Sequence, residues 1–122
     1  MLLNDFYKIV DFTKNEERWT VRVELNPSHS LYKGHFPEQP IVPGVCTLQI
    51  IKECAEDIAQ SPLTFTRISS CKFLAAMNPL TCKEVIFNIL LDKIDDKNYT
   101  LVVDGIYQEN PCIKLKATLT TT

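Results

Sequence analysis

The sequence predicts an α+β protein in which an antiparallel sheet wraps a single long helix. Three observations predict it. One uninterrupted helical pattern, residues 44 to about 60, sits in mid-chain, strand-like alternation flanks it on both sides, and credible turns separate the later strands.

Two strands come first. Residues 6–12, FYKIVDF, read as a short strand, TKNEE supplies a polar turn, and in RWTVRVEL the residues Trp19, Val21, Val23 and Leu25 alternate with polar neighbours. The pair forms a hairpin. NPSHS then ends the strand, with His29 read as a loop residue. From Pro37 to Pro43 the chain lacks the amides that a helix interior or a central strand requires, so the next element starts at or after Pro43.

From Gly44 to about Gln60 there is no proline, and Val45, Leu48, Ile51, Cys54, Ala55 and Ile58 recur at three- and four-residue steps. These are the expected buried face. Gln49, Lys52, Glu53 and Glu56 form the expected polar face, turned to solvent or to a partner. SPL stops the helix. Strand-like runs follow at about 67–74, 83–94, 98–108 and 112–119, with DDKN and ENP as hairpin turns. Phe6, Phe12, Trp19, Phe73 and Phe87 sit at strand spacing, as core or as the lining of a tunnel.

The 122 residues make one domain, 1–122, because two domains sharing this length would each fall near the lower limit for burying a core. A net charge of −2 carries no basic surplus of the kind that nucleic acids select for. The N-terminus shows no leader pattern and no run reaches the roughly 18 apolar residues of a membrane span, so the expected setting is cytoplasmic, with no membrane partner. Five cysteines, odd in number and never spaced C-x-x-C, predict neither a disulfide framework nor a zinc site. Most of them should be reduced core residues. With three glycines the chain has no phosphate-cradling loop, which argues against a nucleotide cofactor.

The stretch that carries chemistry is GHFPEQPIVPGV, residues 34–45. Three prolines stiffen a loop bearing one histidine, His35, and the loop runs directly into the helix. An imidazole titrates near pH ~6.5 and is partly neutral at cytoplasmic pH, so a fixed His35 suits a general base. The helix N-terminus supplies unpaired amides and a positive dipole end, which makes Gly44 and Val45 candidate donors to a developing oxyanion. Cys46, in the first helical turn, is a small core residue or, less expectedly, a nucleophile.

This stretch resembles the signature of the 3-hydroxyacyl-(acyl-carrier-protein) dehydratases, G-H-F-P-x-x-P-[IV]-x-P-G-V followed by a central helix, and nine constrained positions match it. The resemblance continues through CKFLAAMNPLT and the strands beyond it. It implies the hotdog fold, a curved antiparallel sheet around one helix. It implies His35 as the base, Phe36, Pro43, Gly44 and Val45 as substrate-binding residues, and no metal or organic cofactor. It also implies a thioester of acyl carrier protein or coenzyme A as substrate, and a homodimer with sites at its interface. Lys33, Arg67, Lys72 and Lys83 are candidates for docking a carrier protein.

The family's acid stands fourteen residues after the histidine. Here that position is Gln49, which can hold a hydroxyl but cannot give it a proton. Three readings follow: His35 serves as base and then acid while Gln49 orients the hydroxyl; Glu53, one turn on, reaches the site through a water; or the chain has kept the fold and lost dehydration. The third reading makes it an acyl-binding subunit that pairs with an active dehydratase in a heterodimer. A hotdog thioesterase is a further alternative.

Overall fold

The structure is a computed structural model and describes residues 2–34 and 40–122. Among the described residues six strands, β1 (Tyr7–Asn15), β2 (Arg18–Leu25), β3 (Leu63–Phe73), β4 (Glu84–Lys93), β5 (Asn98–Tyr107) and β6 (Asn110–Thr121), form one sheet in the order β1-β2-β4-β5-β6-β3, and every neighbouring pair is antiparallel. The one α-helix among the described residues, α1 (Gly44–Ala59), packs against the sheet, and this is the hotdog architecture.

Alternation builds the sheet. Val21, Val23 and Leu25 of β2, Val85, Phe87 and Ile89 of β4, Leu101 and Val103 of β5, and Ile113, Leu115 and Leu119 of β6 are all buried on the helix side. Gly105 stands opposite both Phe87 and Ile113. Its missing side chain makes room for them, since a Cβ there would lie 2.6 Å from Ile113 Cγ2.

The hairpin turns use backbone rather than glycine. Glu16 (φ 57°) lies in the two-residue β1–β2 turn, and Gln108 (φ 52°) and Glu109 (φ 66°) form the β5–β6 turn. A two-residue turn with both φ positive matches the twist of its strands, at the cost of placing side chains in the left-handed region.

Several boundaries differ from the sequence reading. Strand β3 begins at Leu63 rather than near Arg67, because Leu63 is tied back onto the helix: Glu56 Oε2 accepts from its amide at 2.9 Å and Lys52 Nζ donates to its carbonyl at 3.1 Å. Strand β1 runs on to Asn15, so the turn within TKNEE shrinks to Glu16 and Glu17.

The helix is also rotated from the expected face. Thr47, Ile50, Ile51, Cys54 and Ala55 are buried, whereas Val45 is 75% exposed. Three- and four-residue spacing fits both rows, and packing against the sheet decides between them. Among the aromatics, Phe6 and Phe87 are core, Phe12 and Trp19 stack edge to face at 5.1 Å outside it, and Phe73 is half exposed.

Candidate active site at the helix N-terminus

Pro43 is the N-cap of α1 and offers no side-chain acceptor. The first amides to reach its carbonyl are those of Cys46 at 3.0 Å and Thr47 at 3.2 Å. The Gly44 and Val45 amides therefore precede the helix ladder, and among the described residues no backbone carbonyl accepts from them.

Gly44 adjoins a cavity of about 430 Å³ lined also by Ile41, Val42, Thr47, Phe73 and Met77, with Ala75 and Ala76 on the same wall. The wall is clipped together by the Val42 amide, which donates to the Met77 carbonyl at 3.0 Å. Below it, the Tyr107 hydroxyl donates to backbone oxygen, with contacts of 2.6 Å to Asn78 and 2.9 Å to Cys82, and accepts from the Asn78 amide at 3.2 Å. That tyrosine fixes the loop between β3 and β4 which carries Met77.

Gln49 lies elsewhere on the helix. With Val45, Leu48, Lys52, Thr64 and Phe65 it lines a second cavity of about 340 Å³. Val45 and Gln49 are thus brought together, and Gly44 lines the other cavity. His35 and Phe36 fall outside the described residues. Of the proposed docking cations, Arg67 and Lys72 share the edge strand β3, whereas Lys83 pairs with Glu24 at 3.7 Å. Lys33 closes a short 3₁₀ turn, Ser30–Lys33, whose cap is His29.

Glu53 corrects an expectation. Read as a surface or interface charge, it is in fact only 7% exposed. Its carboxyl collects four donors: the amides of Leu2 at 2.8 Å and Leu3 at 3.0 Å, the Tyr7 hydroxyl at 3.1 Å, and Gln49 Nε2 at 2.7 Å. Burial of a charge demands such pairing. The sequence signal was the i,i+4 spacing of Gln49 and Glu53, but nothing in it placed the N-terminal amides within reach.

All five cysteines are free. Cys54 and Cys112 are buried, and Cys46, Cys71 and Cys82 are half-buried. Burial raises the Cys46 thiol above its ordinary value, which disfavours a thiolate nucleophile despite the nearby helix terminus. Among the described residues, no helix is long and apolar enough to cross a membrane.

The chain is similar to several known proteins. The chain is 29% identical over 111 residues to the 3-hydroxyacyl-[acyl-carrier-protein] dehydratase FabZ of Thermotoga neapolitana, covering 87% of this chain and 77% of that one. Among solved structures it is similar to the dehydratase heterocomplex ApeI:P from Xenorhabdus doucetiae, with a TM-score of 0.71 and 20% identity over 92% of this chain and 96% of that one. It also resembles a hypothetical thioesterase protein with coenzyme A from Streptococcus pneumoniae, with a TM-score of 0.63 and 13% identity over 95% and 85% of the two chains. At these identities the solved structures share the fold, which serves both kinds of protein. The model of the ApeI-like family, described as ApeI dehydratase, matches residues 11–104, and the chain belongs to that dehydratase family.

Proposed function

We propose that the protein is a dehydratase of 3-hydroxyacyl thioesters carried by acyl carrier protein or coenzyme A, acting in the cytoplasm in fatty acid or related lipid or polyene biosynthesis. The observation that carries this reading is the bare helix N-terminus, where Gly44 adjoins an apolar-walled cavity and the Val45 amide follows it in the same uncapped turn. Amides fixed there stabilise charge on a thioester oxygen as it develops, at no reorganisation cost during the reaction. The family resemblance adds Phe36 and Pro43 as substrate-binding residues.

In this mechanism His35 removes a proton from C2, and electron density moves through the enolate held by the two amides. The C2–C3 double bond then forms as the C3–O bond breaks, and the imidazolium returns its proton to the departing hydroxide, which leaves as water. Gln49 holds the hydroxyl in line. Glu53 does not supply the acid, because each of its oxygens already faces two donors.

The separation of Gly44 and Gln49 into two cavities favours a site built from two subunits, each giving a different side of its helix. A homodimer satisfies this. The second reading, a subunit that takes its acid from a heterologous dehydratase, is favoured by the carboxamide at position 49 and by the likeness to a complex named as a heterocomplex.

Hydration of a short 2-enoyl thioester by the wild type and by His35→Ala tests the primary reading. The wild type is expected to turn over and His35→Ala to lose about 10²- to 10⁴-fold. Activity that appears only on mixing with a partner dehydratase, together with a mixed dimer in native mass spectra, would establish the second reading instead.

A further inference from the structure

Glu53 cannot turn. Its Oε1 accepts from the Leu3 amide and the Tyr7 hydroxyl, and its Oε2 from the Leu2 amide and Gln49 Nε2. The Tyr7 hydroxyl keeps its proton for this bond, because burial first, and then the nearby Cys54 and Glu53, disfavour its ionised form. A carboxylate accepts and never donates, so only the nitrogen end of the Gln49 carboxamide can face it. The oxygen–nitrogen ambiguity that normally attends a glutamine is removed by that chemistry.

We propose that Glu53 is the positioning residue for Gln49, locking its carboxamide with one N–H engaged so that Oε1 and the remaining N–H meet the 3-hydroxyl of the bound thioester. The ligand in this statement rests on the dehydratase reading above. The lock itself is a property of the free protein. It explains how a carboxamide serves where the resemblance implies an acid: Gln49 is oriented rigidly enough to hold the hydroxyl. It also gives the N-terminal segment a task, since the amides of Leu2 and Leu3 immobilise the carboxylate that orients Gln49.

The test combines side-chain amide NMR with kinetics on the full chain. In the free wild type, one Gln49 Nε2 proton is expected downfield and slow to exchange. The 3-hydroxybutyryl thioester of pantetheine should shift both Gln49 side-chain signals, and the butyryl thioester, which lacks the hydroxyl, should not. Glu53→Gln keeps the shape but has a single accepting oxygen, so it accepts from only one of the Leu2 and Leu3 amides, and it permits either orientation of Gln49. That variant should lose the protected signal and drop kcat for enoyl hydration about 10- to 100-fold, with KM little changed.

The Gln49→Glu/Glu53→Gln double variant rebuilds a donor–acceptor pair with reversed polarity. Its carboxamide at 53 leaves one N-terminal amide without an acceptor, so it should melt below the wild type yet exceed Gln49→Glu in both Tm and kcat. Turnover in the wild type that survives Glu53→Gln unchanged overturns the proposal and leaves the dehydratase reading standing. A wild type without turnover whose Gln49 signals still answer the hydroxyl overturns that reading and leaves the lock in place. Gln49 signals like those of an exposed glutamine, unmoved by either thioester, refute the lock outright.

Discussion

The ring of Phe73, on edge strand β3, lies so close over Gly44 that a Cβ at position 44 would come within 2.9 Å of its Cζ. A glycine at the first helical position thus lets an aromatic ring and the amide end of the helix share one cavity wall. Phe73 is 53% exposed and its ring can swing aside. Gly44→Ala is therefore expected to change stability by less than about 0.5 kcal/mol while lowering kcat/KM, because the methyl and the displaced ring crowd the approach to the amides. Gly105→Ala provides the contrast. There the added Cβ meets Ile113 at 2.6 Å, Cys112 Sγ at 3.1 Å and Phe87 at 3.3 Å in the closed core, and overpacking should cost about 1–3 kcal/mol in denaturant titrations.

Replacing Gln49 with the acid that the resemblance implies should not raise turnover on its own. Gln49→Glu sets a second carboxylate against Glu53, where a donor now lies 2.7 Å from Oε2. The expected loss is about 1–3 kcal/mol at neutral pH. Two carboxyls sharing one site raise the folded-state pKa of one of them. Since a raised folded pKa favours the folded form only below the unfolded value, the variant should regain stability toward pH ~4 and lose it as pH rises. Thermal melts at pH 4.5 and 7.5 measure the difference.

Alkaline stability follows from the buried thiols. Burial, with Asp57 and Glu53 nearby, pushes Cys54 from its ordinary 9.0 up to about 12, and burial pushes Cys112 up to about 11. Both folded values lie above the unfolded one. The folded chain therefore holds these protons more tightly, and their contribution is complete below pH 9 and lost progressively as pH rises from 9 through 11 and 12. Urea midpoints should fall across that window, with a shallower fall in Cys54→Ala.

The β5–β6 turn holds Gln108 and Glu109 in the left-handed region without a glycine. Glu109→Gly, at φ 66°, should stabilise the protein by roughly 0.5–1 kcal/mol by relieving the steric cost of a side chain there. A loss of stability on this substitution would mean that the Glu109 side chain contributes more than its strained backbone costs.

The legible part of the sequence was the part governed by local rules. Pro43 followed by Gly44 marked the helix start at the residue where it occurs, because proline has no amide to give and suits a helix entrance. RWTVRVEL defined β2 because period-two alternation on a half-buried sheet has one solution. What escaped depended on distant contacts. Val45 looked like core until the sheet took Thr47 and Ile50 instead, and Glu53 looked solvated because its donors come from about fifty residues upstream. The close of the helix was blurred for a different reason: Gln60 adopts the left-handed cap, φ 55° and ψ 42°, where glycine would have announced it.

The site divides in the same way. The motif and the fourteen-residue spacing named His35, Phe36, Pro43, Gly44, Val45 and Gln49; of these Gly44 lines the first cavity and Val45 and Gln49 the second, while His35 and Phe36 lie outside the described residues. Phe73 and Met77 join that cavity from β3 and the loop after it, through folding that no spacing encodes.

The central claim is tested most directly by giving the isolated protein a short 2-enoyl thioester and following two signals in one sample: enoyl absorbance for hydration and free thiol for hydrolysis. The account predicts loss of the enoyl signal with no thiol release, abolished in His35→Ala and retained in Cys46→Ala. Thiol release without loss of the enoyl signal would contradict it and assign the chain to thioester hydrolysis.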